Sequence, residues 1–137
     1  MSCKYIIKKQ HNSVFLHFTD VVDDNKLIDT FTQVHSDPDY SPAMDQCINF
    51  SDITDWQISR YGIEQLAGIA EKFNCLNSRW NTYIVAPDDL VFGYARMYQM
   101  LCDEHTVNIS IVRTLEAALK LMLMGIEQYP FVITESN

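Results

Sequence analysis

Between Thr82 and Arg113 the chain changes its apolar rhythm twice. Tyr83-Ile84-Val85-Ala86 is a short aromatic and β-branched run, Pro87-Asp88-Asp89 interrupts it, Phe92-Gly93-Tyr94-Ala95-Arg96-Met97-Tyr98 continues with helical residues, and Ile109-Ser110-Ile111-Val112 is a second β-type run. Strand, helix and strand in about thirty residues is the size of one βαβ unit. Two parallel strands need such a crossover, so this segment points to a small α/β domain. It does not name a reaction.

The rest of the chain reads in the same idiom. Residues 4–9 and 13–18 are two strands, the second rich in β-favouring residues (Val14-Phe15-Leu16-His17-Phe18), with His11-Asn12-Ser13 as the turn between them. Asp23 and Asp24 offer an N-cap to a helix whose Leu27, Ile28, Phe31 and Val34 share one face, and Pro38 ends it. Cys47-Ile48-Asn49-Phe50 is a short strand, followed by Ser51 and a loop, Asp52–Trp56. Ser59 caps a second helix, Ile58 and Ile63 are spaced for a hydrophobic staple, and Asn74 or Asn77 suits its end. Pro87, Asp88 and Asp89 start the third helix. Thr114 caps a fourth, in which Leu115, Ala118, Leu119, Met122 and Ile126 are placed to face the core. The order is ββαβαβαβα, an α/β fold with a mostly parallel five-stranded sheet and helices largely on one face. Residues 1–127 make one domain and 128–137 a C-terminal tail, parts of which Tyr129, Phe131 and Val132 can order.

Charge narrows the choice of partners. The net charge is −8, and nine Asp lie between Asp20 and Asp55, where Lys26 is the only Lys or Arg. Such a surface repels phosphate backbones, which argues against nucleic acid and anionic membranes. The apolar run near the N-terminus is too short for a signal peptide, and no stretch approaches a membrane-spanning length. Cys3, Cys47, Cys75 and Cys102 form no close pair. They read as reduced thiols in a cytoplasmic chain, Cys47 and Cys102 serving as small buried hydrophobes. The spacing lacks zinc-ligand pairs, and residues 37–48 fail as a calcium loop because Pro42 and Ile48 stand where Gly and a bidentate acid are needed. No phosphate-binding glycine loop or nucleophile elbow is present, so neither a cofactor nor catalysis is expected.

The order resembles the STAS family of anti-sigma-factor antagonists, in the bacterial branch described as SpoIIAA-like or STAS/SEC14-like. The resemblance covers roughly residues 4–126 and is carried by Ile48-Asn49-Phe50-Ser51-Asp52, by Ala86-Pro87-Asp88-Asp89-Leu90-Val91-Phe92-Gly93-Tyr94-Ala95-Arg96-Met97-Tyr98, and by Thr114-Leu115-Glu116-Ala117-Ala118-Leu119. It implies a regulatory module in which a partner kinase phosphorylates a Ser or Thr at the start of the second helix. The matching stretch here is Asp52-Ile53-Thr54-Asp55. Ile53 holds the acceptor position and cannot be phosphorylated, and Thr54 is flanked by like charge, so the phosphoswitch is not expected.

The third helix carries more apolar surface than a sheet can cover. Leu90, Tyr94, Met97 and Leu101 form the stripe expected to face inward, while Val91, Phe92, Tyr98 and Met100 spread round the rest. Excess apolar surface calls for a neighbouring helix, a second subunit or partner, or a greasy ligand. Arg96, the cation of that stretch, is expected to pair with Asp52 or Asp55. The candidate interaction surface is therefore Asp52, Thr54, Asp55 and Trp56 together with Phe92, Arg96 and Tyr98. The expected function is a non-enzymatic protein-interaction module, partnered by another protein or by itself as a dimer. Carriage of a small apolar molecule or lipid is the alternative, with the Met-rich helices as its wall.

Overall fold

A computed structural model describes residues 3–72, 80–102 and 107–131. The sheet has five strands in sequential order: β1 (Cys3–Lys8), β2 (Ser13–Asp23), β3 (Asp45–Gln57), β4 (Trp80–Val85) and β5 (Val107–Val112). β1 runs antiparallel to β2, and every later pairing is parallel. The turn between β1 and β2 is a single 3-10 turn closed by Asn12 in the left-handed region at φ 49°, a conformation Asn tolerates better than most residues. The helices are α1 (Asp24–Ser36), α2 (Arg60–Lys72), α3 (Asp89–Leu101) and α4 (Leu115–Leu121).

Right-handed crossovers between successive neighbouring strands put the connecting helices on one face. That first face holds the main core: Leu16, Phe18, Ile48, Phe50, Trp80 and Ile84 from the sheet meet Leu27, Phe31, Ile63, Leu66 and Val91 from α1–α3. The opposite face is covered by α4 and the residues after it, over Phe15, Cys47 and Val85.

The caps follow the sequence reading. Asp23 accepts from Lys26 N–H, Ser59 from Gly62 N–H and Thr114 from Ala117 N–H. At α3 the reading needs correction: Asp88 is the N-cap, accepting from Val91 N–H, and Pro87 stands outside the helix. Ile58 and Ile63, the expected staple, are both buried. Asn74 and Asn77 lie outside the described residues. Ile126 is 48% exposed and does not face the core, because α4 ends at Leu121. Cys47 is fully buried, as expected, but Cys102 is only half-buried.

Two strands are longer than expected. β2 continues to Asp23 and β3 to Gln57, so Asp52–Trp56 is strand, not loop. β3 pairs with β4 only from Gln46 to Asn49, and beyond that β2 and β3 project as a two-stranded arm. β-branched Val21, Val22, Ile53 and Thr54 favour that extension. No described helix is long and apolar enough to cross a membrane.

Candidate functional site

At the root of the arm the register slips. His17 pairs with Asn49, but Thr19 pairs with Asp52, so β3 spends one residue more than β2. A second slip follows between Asp20 and Val21, with Asp20 in the left-handed region at φ 61°. In an unbroken strand Asp52 would share the face of Phe50. One extra residue moves every later side chain to the opposite face, and Asp52 therefore joins His17 and Asn49.

The result is a directed chain of hydrogen bonds. Asn49 Oδ1 accepts from Ser51 N–H at 3.0 Å and from Ser51 Oγ at 2.6 Å. A backbone N–H needs an acceptor, so the Asn49 amide group must point the other way, where its Nδ2 donates to Tyr129 Oη at 3.0 Å. Tyr129 then gives its own proton to His17 Nδ1, 2.7 Å away. That leaves His17 Nε2 as the protonated nitrogen, donating to Asp52 Oδ2 at 2.9 Å. The chain runs Asn49 to Tyr129 to His17 to Asp52, and each donor meets an acceptor. His17 is further held between aromatic rings, stacked on Phe131 at 5.3 Å and tilted against Tyr129 at 5.8 Å.

Burial disfavours ionisation of Tyr129 and keeps its hydroxyl far above the ordinary tyrosine range, the Asn49 hydrogen bond opposing this only in part. A buried, un-ionised Tyr is a poor nucleophile, and this geometry suits positioning better than chemistry. Asp52 is the member nearest water, with its side chain 32% exposed against 7% for His17. Among the described residues, no group of three or more His, Cys, Asp or Glu is placed to hold a metal ion.

The surface expected from sequence is not one surface. Asp52 belongs to the chain just described. Thr54 and Asp55 are exposed on the arm, Asp55 accepting from Gln57 at 2.8 Å. Trp56 turns to the first face and plugs it, edge-on to Phe50 at 5.1 Å and tilted against Tyr94 at 5.5 Å. Tyr98 is 2% exposed and is a core residue, not a surface one. α3 buries Val91, Ala95 and Tyr98; of the expected stripe, Leu90 and Leu101 turn outward, while Tyr94 and Met97 are partly buried against the core. Both sets have helical spacing, so periodicity alone could not choose between them. Arg96 is exposed and forms no ion pair with Asp52 or Asp55; Asp52 is taken by His17. The cation that serves the start of α3 is Arg113, which pairs with Asp89 at 2.8 Å and lies 4.3 Å over the ring of half-buried Phe92.

Sequence reading missed His17, Asn49 and Tyr129. The available signal was a His and an Asn inside strands otherwise made of core residues, where a buried polar side chain requires a partner. Tyr129 is 112 residues from His17 and carried no such signal. No family model, no curated protein and no solved structure matches this chain.

Proposed function

We propose that the chain is a non-enzymatic regulatory or protein-interaction module of the STAS-like type, self-associating through the outer side of α3. The observation that carries this reading is that α3 carries more large apolar side chains than the core buries. On the outer side Met100 is 79% exposed, Leu90 56% and Leu101 47%. Gly93 is exposed on the same helix, with nothing within 4 Å of where a Cβ would stand, so a second backbone can approach closely. Large apolar side chains left exposed at both ends of one helix are candidates for a docking surface.

The element order and the shared face of α1–α3 support the STAS-like frame. A phosphoswitch has no support from the arm: Asp52-Ile53-Thr54-Asp55 lies in β3, before α2 begins at Arg60. The hydroxyl at the helix start is Ser59, which donates to Asp24 Oδ2 at 2.5 Å, while Asp24 Oδ1 accepts Ser59 N–H at 2.8 Å. A carboxylate already occupies the helix end that a phosphate would use, and like charge opposes a second anion. Carriage is the weaker reading. The apolar cavity among Ile48, Phe50, Trp56, Leu66, Tyr94 and Tyr98 holds about 30 Å³, close to one water molecule and far below an acyl chain.

The test is native mass spectrometry with light scattering at low micromolar concentration, on the wild type and on Met100→Glu. A wild-type dimer that the variant turns into a monomer, with unchanged circular dichroism, is the expected result. A bare wild-type monomer overturns self-association through α3. Reproducible extra mass on each wild-type chain favours carriage.

A further inference from the structure

We propose that residues 125–131 form a strap that opens from the second face of the sheet as a unit, while the first face stays folded, and that the hydrogen-bond chain ending at Asp52 is its catch. Three observations carry this. The strap is attached by side chains. Among the described residues its backbone hydrogen bonds stay local, Gln128 N–H to Gly125 O and Tyr129 N–H to Ile126 O. Its hydrogen bonds to the sheet are Tyr129 Oη with His17 and Asn49, and Lys8 Nζ donating to Gln128 O at 3.0 Å.

Second, the strap covers a core that is separate from the main one. Phe15, Cys47 and Val85 share no cluster with the residues under α1–α3. Within the strap Tyr129 is the buried residue, and Pro130 and Phe131 help to wall an open groove of about 590 Å³ along β1, which brings solvent to the edge of the strap. A segment with few buried apolar contacts and solvent at its margin is the kind that opens locally.

Third, the catch ends at a partly exposed carboxylate on β3. Asp52 is the acceptor that lets His17 donate from Nε2 and so receive from Tyr129 at Nδ1. Removing that acceptor leaves a buried N–H unmatched, and the penalty falls on the closed state alone. An event at the partly exposed carboxylate is thereby felt at Tyr129 and at the floor beneath it. That floor includes the Cys47 thiol, which is 0% exposed and which burial pushes up to about 12. It is inert while the strap is closed and gains ordinary thiol reactivity when the strap lifts.

The experiment is site-resolved N-ethylmaleimide labelling of Cys47 in the full chain, followed by mass spectrometry, with hydrogen exchange measured alongside. Tyr129→Phe and Asp52→Ala are expected to speed Cys47 labelling by about tenfold to a hundredfold, the range set by one unmatched buried polar group. Exchange in α1–α3 should stay slow in both. Leu66→Ala, which weakens only the first face, should leave Cys47 labelling nearly unchanged. If Leu66→Ala speeds labelling in proportion to its loss of global stability, Cys47 is reached only by complete unfolding and the strap is overturned. If Asp52→Ala labels like wild type, the catch is overturned. Should Tyr129→Phe not fold, wild-type exchange decides: amides of residues 126–129 and 131 exchanging as slowly as the slowest core amides rule local opening out.

Discussion

The two faces of the sheet are held by different physics. On the first, three helices of 13 residues each join the sheet in a cluster of twenty buried described residues. On the second, a 7-residue helix and the strap join the sheet in a cluster of six buried residues, together with a polar chain through Asn49, Tyr129, His17 and Asp52. Apolar burial is non-directional, so a large core loses stability roughly in proportion to the area removed. A hydrogen-bond chain is directional, so losing one member orphans its neighbours. The first face should therefore set global stability, and the second should set which part of the molecule opens first.

The largest expected effect tests the first half of that contrast. Phe18 is fully buried and stacked on Phe50 at 5.0 Å. Phe18→Ala should cost about 3–5 kcal/mol of global stability, read from the urea midpoint. A loss below about 1 kcal/mol would mean that this core is not what holds the fold.

Alkaline pH strikes both faces. Burial raises Cys47 from 9.0 to about 12, and it raises Tyr98 and Tyr129 as well. All three are neutral when folded, and each folded value lies above its unfolded one. Their contribution is fully present below the unfolded values and is lost as pH climbs towards the folded ones. For Cys47 the window is pH 9 to about 12. Each group adds a slope of about 1.4 kcal/mol per pH unit inside its window. Cys47→Ala should remove one such slope from urea midpoints measured between pH 8 and 11. An unchanged slope would show that the thiol does not contribute.

A third test stays on the first face, where direction also matters locally. Asp24 sits over the start of α2, and a Cβ on Gly62 would collide with its carboxylate. Gly62→Ala should cost about 1–3 kcal/mol. Adding Asp24→Ala should recover part of that loss, since the second change removes what the first collides with. Simple additivity in the double mutant would deny the contact.

The smallest effects separate two arginines. Arg113→Ala should cost about 0.5–1 kcal/mol, through Asp89 and the face of Phe92. Arg96→Ala should change the thermal midpoint by less than about 0.5 kcal/mol equivalent. A larger loss at Arg96 than at Arg113 would restore the anchoring role that sequence assigned to Arg96.

Local chemistry was legible without the fold. The alternation of β-branched runs with apolar helical stripes specified an α/β chain, and Asp23, Ser59 and Thr114 marked three helix starts, because a cap is decided within four residues. Sequential strands joined by crossover helices placed α1–α3 on one face, because the handedness of that connection is a property of L-residues.

Everything that depended on the direction of a side chain across the sheet was not legible. α3 offers two sets of apolar residues at helical spacing, and which set became fully buried was settled by the strands beneath it. Asp52 changed faces through one extra residue in β3, a slip visible only against its partner strand. Tyr129 met His17 across 112 residues, and Arg113, not Arg96, met the start of α3. Caps, turns and periods are written in neighbouring residues, so the sequence by itself determined them. Register, facing and long-range hydrogen bonds exist only between segments, so only the tertiary structure decided them.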